Sequence, residues 1–270
     1  MSKTILITGT SSGIGCATAK YFQERGWNVA ATMRNPQKET KLGKLSGVKV
    51  FKLDVLDEGS IHKAVKDSIR EFRGIDVIVN NAGYAAFGPF EAATNEQIER
   101  QFKTNLFGAM HLIRAVLPYF REKNAGMIIN VSSVGGRLTF PLNSLYHASK
   151  FALEGFSESL YYELEPFNIK VKLVEPGGVK TDFASRSADW LMNSKLKVYD
   201  DLVNKFKNSM KKAVQFSDPS TIAAVIYEAA IDGTTQLRYV AGRDAVQLLA
   251  AREKISQEEY YQMMKKNLLG

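Results

Sequence analysis

Short apolar runs alternate with amphipathic stretches along most of the chain. The first run, TILITG at residues 4–9, is apolar nearly throughout and stops at a glycine, the pattern of a strand buried on both faces. IGCATAKYFQERG then takes up helical spacing, with Ile14, Ala17 and Phe22 on one side and Lys20, Glu24 and Arg25 largely on the other. Gly26 is placed to close that helix. WNVAATMR and VKVFKLDV predict a second and a third strand, and SIHKAVKDSIREF predicts a helix with Ser60 at its N-cap. IDVIVNNAG predicts a fourth strand that breaks into polar residues and glycine, and a long helical region follows over residues 95–121. GMIINVSS, IKVKLVEPGG and LRYVAG predict the fifth, sixth and seventh strands, with a helix carrying Tyr146 and Lys150 after the fifth.

Strands alternating with helices of this length predict an α/β protein whose parallel sheet is covered on both faces. A chain of 270 residues buries a large core without metal or disulfide support. No repeat, low-complexity tract or Pro/Ser-rich linker divides it, so one domain over 1–270 is expected. Residues 181–218 resist the pattern: they are polar and Lys-rich, with an apolar patch at Trp190, Leu191 and Met192. So long a connection is usually functional or disordered. It reads as a substrate lid inserted in the domain, its patch closing over the ligand.

Composition narrows the classes. One cysteine, Cys16, excludes an internal disulfide and fits a reducing compartment. The start, MSKTILITG, has neither a basic leader nor a long apolar segment, and no run approaches the roughly 18 apolar residues of a membrane helix. A cytoplasmic protein without a membrane span is expected. The net charge of +8 raises nucleic acid as a partner, yet the lysines and arginines are scattered and no zinc-finger spacing or aromatic-rich basic motif accompanies them. No nucleic-acid partner is expected. His62, His111 and His147 form no metal-ligand motif, and no metal is expected.

TGTSSGIG, residues 8–15, joins the first strand to the first helix. Its glycines permit a tight turn and a pyrophosphate close to the backbone, and the helix N-terminus offers N–H groups and positive dipole. The spacing is TGxxxGxG, which resembles the short-chain dehydrogenase/reductase family. Further matches stand in order: NNAG at residues 80–83, Asn105 in TNLFG, Ser133 thirteen residues before a tyrosine, YxxxK at Tyr146 and Lys150, and PGGVKT at 176–181. The resemblance covers about residues 4–245. It implies a single Rossmann-type doubly wound domain, with a seven-stranded, mostly parallel sheet and helices on both faces. SSGIG, MRN, YHASKFALEGFSESL and LRYVAGRDA look like the 17β-hydroxysteroid and retinol dehydrogenase-like branch.

The implied chemistry is hydride transfer between a nicotinamide cofactor and a carbonyl or alcohol. Tyr146 would exchange a proton with the substrate oxygen; its free pKa is about 10, and a lysine ammonium one helical turn away favours the phenolate. By resemblance, Lys150 also grips the nicotinamide ribose, and Asn105 binds a water that links Lys150 to solvent. Ser133 would donate a hydrogen bond to the substrate oxygen as charge develops there. The resemblance places the phosphates at Gly9, Ser11, Ser12, Gly13, Ile14 and Gly15. Asp54, with Val55 beside it, would meet the adenine, and Asn81, Ala82 and Gly83 the adenosine ribose. Val179 and Thr181 would meet the carboxamide, with Pro176 and Gly177 leading into them.

The second strand ends in Met33 and Arg34, with no carboxylate for a ribose 2′-hydroxyl and a guanidinium that can pair with a 2′-phosphate. NADPH is expected over NADH, although Ser12 stands where NADPH-preferring members often carry a basic residue. Tyr84, Val134, Leu138, Phe140, Asn143, His147, Gly178 and Phe183, with Ser133 and Tyr146, are the candidate substrate wall. Most are apolar, so a bulky hydrophobic ketone or alcohol is expected. The family often pairs through its long helices, here residues 95–121 and 148–165, so a homodimer or homotetramer is expected. The alternative is a non-catalytic dinucleotide-binding regulatory protein of the same fold, with an isomerase or epimerase on the same cofactor third. The complete set of Asn105, Ser133, Tyr146 and Lys150 favours the enzyme.

Overall fold

A computed structural model of the chain describes residues 2–181, 187–212 and 216–269. The first half runs β1 (Thr4–Thr8), α1 (Gly13–Gln23), β2 (Asn28–Met33), β3 (Val48–Lys52), α2 (Glu58–Phe72), β4 (Val77–Asn80), β5 (Ala85–Phe87), α3 (Asn95–Phe102) and α4 (Gly108–Lys123). The second half runs β6 (Gly126–Val131), α5 (Ser144–Leu164), β7 (Ile169–Pro176), β8 (Ala188–Trp190), α6 (Asp200–Lys212), α7 (Pro219–Ile231), β9 (Arg238–Ala241), α8 (Arg243–Lys254) and α9 (Gln257–Leu269).

Seven strands form one sheet in the order β3-β2-β1-β4-β6-β7-β9, all neighbours parallel. Alternate residues of each strand enter opposite cores. Ile5, Ile7, Val29 and Val79 pack on one side with Phe22 of α1 and Ile222 and Ile226 of α7. Leu6, Ala30 and Ile78 pack on the other with Ile61 of α2, Val116 of α4 and Leu160 of α5. Burial on both faces explains why the strands read as continuous apolar runs. From β1 the chain moves outward to β2 and β3, then returns to β1's other side at β4. The carboxyl ends of β1 and β4 therefore feed loops that diverge, which opens a crevice at the reversal. This is the doubly wound Rossmann-type fold.

The structure departs from the sequence expectations in five places. Asp57, not Ser60, caps α2: its carboxylate accepts from Ser60 N at 3.1 Å, placing Ser60 inside the first turn. Helix α1 ends at Gln23 with Glu24 as C-cap, and Gly26, at φ +78°, shapes the turn beyond it. The helical region over 95–121 is interrupted by a π-helical turn, Lys103–Phe107, between α3 and α4. A second small sheet pairs β5 with β8 in parallel, joining Phe87 to Trp190. Beyond β9, α8 and α9 extend the chain. Helix α9 packs on α6, and its Tyr260 hydroxyl donates to the Thr139 carbonyl at 3.0 Å.

Among the described residues, no helix is long and apolar enough to cross a membrane, and no group of His, Cys, Asp or Glu is placed to hold a metal ion.

One lysine is buried inside the sheet. Lys172 of β7 is 1 % exposed and lies on the face covered by α7. Its Nζ donates to Asp232 Oδ1 at 2.6 Å and to the Tyr239 hydroxyl at 2.5 Å, and Tyr239 in turn donates to Asp232. Partial burial pushes the Asp232 carboxyl up, but the bonds from Lys172, Tyr239 and Thr234 outweigh it and hold it well below the usual carboxylate range. Removing one partner of such a pair strands the other charge in the core. Asp232→Ala is expected to cost about 3 kcal/mol of stability in urea unfolding at pH 7. Because the native carboxyl titrates low, this contribution is complete above the ordinary carboxylate pKa and fades as pH falls through the lowered value. The gap between wild type and variant should therefore shrink in acid. A loss below about 1 kcal/mol at pH 7 would show that Lys172 does not depend on Asp232.

Candidate active site

The crevice between the β1 and β4 loops widens into one long cavity. At its floor, Gly9 and Gly13 take φ of +71° and +55°, which glycine adopts without strain. A Cβ on Gly15 would overlap the Gly9 carbonyl oxygen and the Asn81 amide, so only glycine lets α1 approach this closely. Gly15 is thus behind the wall, while Gly9, Ser11, Ser12, Gly13 and Ile14 line it. Ser12 is the extended N-cap of α1 and, among the described residues, makes no side-chain capping bond. The first N–H groups of α1 are left for an anion. This cradle fits a dinucleotide pyrophosphate.

Thr8 and Asn81 fix that cradle. The Thr8 hydroxyl accepts from Asn81 N at 2.9 Å and Ala82 N at 3.0 Å, and the Asn81 side chain donates to Thr8 O at 2.9 Å. At one end of the cavity stand Met33, Arg34, Leu53, Asp54 and Val55, the residues just past β2 and β3. Arg34 is exposed on this wall. The Asp54 carboxylate accepts from Leu56 N at 3.0 Å, which stiffens the turn. Ala82 and Gly83 line the middle, and Pro176, Gly177, Val179 and Thr181 the side beyond β7.

The other end holds Tyr146, Lys150 and Ser133. Tyr146 lies in the first turn of α5, half-buried, its ring centroid 6.3 Å from Phe87 and 6.0 Å from His147. Burial pushes its phenol up, and a hydrogen bond with Ser133 pulls the other way without overcoming it. Lys150 follows one turn later. Its ammonium donates to the Val131 carbonyl at 2.9 Å and sits 5.8 Å from the Tyr146 ring centroid. Burial lowers its pKa to about 8, against the opposing charge of Glu154. The expected lowering of the tyrosine by the lysine is therefore not the net direction at Tyr146 in this geometry. Ser133, just past β6, accepts from Gly135 N at 3.0 Å, which aims its oxygen at the same cavity.

Asn105 is placed differently. It lies in the π-turn, 3 % exposed and off the cavity wall. Its Oδ1 accepts from Tyr84 N at 2.8 Å, and its Nδ2 donates to Tyr84 O at 2.8 Å and to Ser149 Oγ at 3.1 Å. Both amide N–H groups are spent, so the side chain clamps the backbone behind the NNAG loop. The extra residue of a π-turn is what aims it there.

Six substrate candidates also stand off the wall: Val134, Leu138, Gly178, His147, Asn143 and Phe140. His147 is buried, accepting from Phe140 N at 2.8 Å through Nε2 and donating through Nδ1 to Gly135 O at 2.8 Å. Burial holds it below its usual pKa despite those two bonds, so it is a neutral clamp on the loop. Asn143 is buried and donates to Pro141 O at 2.6 Å. Phe140 packs toward Val134, Leu138 and Tyr260. Phe183 lies outside the described residues. Trp190 joins Phe87 and Tyr146 in an aromatic row, its centroid 6.0 Å from Phe87, whereas Leu191 is buried and Met192 is 71 % exposed, away from the site.

Sequence reading missed several wall residues, among them Leu56, Arg100, Thr104 and Ser132. All but Arg100 adjoin motif positions, which is the signal that pointed to them. It also missed Asp244, whose carboxylate accepts from Gly178 N at 2.6 Å and fills the space a Cβ on Gly177 would need.

Comparison with known proteins agrees with this architecture. The short chain dehydrogenase family matches over residues 3–192. An uncharacterised oxidoreductase of Schizosaccharomyces pombe is 41 % identical, covering 87 % of this chain and 99 % of its own. A 3-ketodihydrosphingosine reductase of Bacteroides thetaiotaomicron is 38 % identical over 93 % of this chain and 91 % of its own. Human retinol dehydrogenase 8 is 40 % identical over 68 % of this chain and 61 % of its own, which supports the retinol dehydrogenase-like branch. The crystal structure of a short-chain dehydrogenase from Streptomyces avermitilis superposes with a TM-score of 0.85 at 34 % identity, covering 98 % of this chain and 97 % of its own. ElxO, solved with NADP bound, superposes with a TM-score of 0.73 at 26 % identity, covering 89 % of this chain and 98 % of its own. With its glycine cradle, its YxxxK helix and these relatives, the chain belongs to the short-chain dehydrogenase family of oxidoreductases.

Proposed function

We propose that this oxidoreductase is an NADPH-dependent reductase of bulky hydrophobic ketones, reversible toward the alcohol. The observation that carries the reading is the convergence of Ser133, Tyr146 and Lys150 on one end of a cavity whose other end holds Arg34. NADPH bound along that cavity would supply the hydride. Gly9, Ser12, Gly13 and Ile14 would hold its phosphates, and Arg34 its 2′-phosphate through a charge-assisted fork. Ser133 donates a hydrogen bond to the ketone oxygen, and Tyr146 delivers the proton as the oxygen becomes negative. The Lys150 ammonium, one turn away and buried, stabilises the phenolate that Tyr146 leaves behind.

The aromatic row of Tyr146, Phe87 and Trp190, its rings tilted by 45° and 49° from one to the next, carries apolar surface outward from Tyr146, which suits a bulky hydrophobic ketone. Relatives named for 3-ketodihydrosphingosine and for retinol, which carry their oxygen on a long apolar skeleton, support the same class. The segment that includes β8 and α6 acts as the cover of this end. Phe107 and Phe151, each 44 % exposed beside α4 and on α5, suit pairing of two copies along those helices.

Three outcomes test the reading. In fluorescence titrations, Arg34→Ala should weaken NADPH binding by about tenfold or more while NADH binding stays as it was. An equal loss for both would make Arg34 a general surface charge. Tyr146→Phe should lower kcat for ketone reduction by at least about 100-fold with NADPH affinity retained, and substantial residual activity would remove Tyr146 as proton donor. Lys150 titrates low, at about 8, so its charge is complete below that value and lost above it. The reduction rate should fall as pH rises through about 8.

A further inference from the structure

Behind Lys150 lies a group of buried charges that the reaction above does not use. Glu154 stands one turn beyond Lys150 on α5, and Glu175 lies on β7; their side chains are 7 % and 0 % exposed. They share a cation. Arg238 of β9 places Nε 3.0 Å from Glu154 Oε2 and 3.4 Å from Glu175 Oε1, and its Nη2 lies 2.6 Å from Glu158 at the surface. From the turn after β6, Arg137 reaches Glu175 at 3.4 Å and Glu253 of α8 at 3.8 Å. Lys150 and Glu158 on α5, Arg137, Arg238 and Glu253 are the charged groups that face the pair. Among the described residues, Glu154 Oε1, Glu175 Oε1 and Ser132 Oγ are nonetheless buried without a hydrogen-bond partner. Glu154 and Ser132 both crowd Gly136: a Cβ there would stand 2.8 Å from Glu154 Cγ and from Ser132 Oγ.

Two buried carboxylates on one guanidinium, each with an oxygen that lacks a donor, favour the uptake of one proton. It removes one of two like charges from a poorly solvated site. We propose that Glu154 and Glu175 share a single proton, and that its release to solvent adds the negative charge that keeps Lys150 an ammonium, making the pair a positioning element of the proton-transfer site. The step is an acid–base exchange: a carboxyl O–H bond breaks, water takes the proton, and the electron pair stays on the carboxylate. Burial first, and the charge of Glu154 second, push Glu175 up to about 7 against the pull of Arg137 and Arg238. The pair thus gains its second charge just below the pH at which Lys150, at about 8, would lose its own.

The coupling to catalysis rests on the Tyr146 and Lys150 reading above; the shared proton does not. Carboxyl carbon-13 NMR of glutamate-labelled protein, titrated from about pH 5 to 9, should show a glutamate with a midpoint near 7 that disappears in Glu175→Gln. Glutamates that all titrate below about 5 would overturn the shared proton. In the pH–rate profile of ketone reduction, Glu154→Gln should move the alkaline limb to lower pH by about one unit. NADPH affinity should stay within about twofold. Glu175→Gln moves it in the same direction and serves if Glu154→Gln does not fold. An unmoved limb would overturn the coupling. If wild type reduces no ketone, the catalytic reading and the coupling fall together, while the NMR titration still decides the shared proton.

Discussion

The Thr8 hydroxyl joins the two halves of the sheet where they part. It accepts N–H bonds from Asn81 and Ala82 and lies within hydrogen-bond reach of Val79 O, so the end of β1 and the end of β4 share one oxygen. Everything in the site is built outward from that junction. The glycine loop leaves one side of it and the NNAG turn the other, and the cavity is the wedge between them. The wedge cannot be narrowed or filled cheaply, because Gly15 already touches the Gly9 carbonyl and the Asn81 amide.

Polar groups around the wedge divide into those that face the cavity and those that hold its walls. Asn105, His147 and Asn143 are of the second kind: each hydrogen-bonds backbone groups of neighbouring loops. Buried amides and imidazoles must find such partners, and a loop that has few backbone partners of its own supplies them. Tyr146, Ser133 and Lys150 instead keep atoms toward the cavity. The same division holds at β7, where Asp244 fixes Gly178 from behind and leaves Val179 to face the ligand side.

Much of this was legible in the sequence because its signals are local. The strands β1, β2 and β4 read as apolar runs because both faces are buried, and the glycine loop reads from three glycines at fixed spacing. Tyr146 and Lys150 declare themselves by one helical turn. What was not legible depends on contacts distant in sequence. Phe87 pairs with Trp190 through strands of three residues, too short to leave a period. The π-turn at residues 103–107 adds one residue to a helix whose apolar pattern stays continuous, so residues 95–121 read as one helix. His147 was counted as a wall residue because position beside Tyr146 does not say which way a side chain turns. Nothing beside Lys172 in the sequence marks it as buried, and only Asp232 and Tyr239, 60 and 67 residues later, explain its burial.

The last helix touches both borders of the substrate end at once. α9 rests on α6, and Tyr260 holds the carbonyl of Thr139 in the loop that follows Ser133. The parts that perform chemistry are central strands and their loops, whose geometry tolerates little change. In the reaction proposed above, the parts that would bound the substrate are steadied by α9, a helix outside both sheets, where residues can be exchanged without disturbing a single strand pairing. Under that proposal, reaction and selectivity would lie on separate elements, and remodelling α9 would reshape the substrate end while Tyr146 stays where it is.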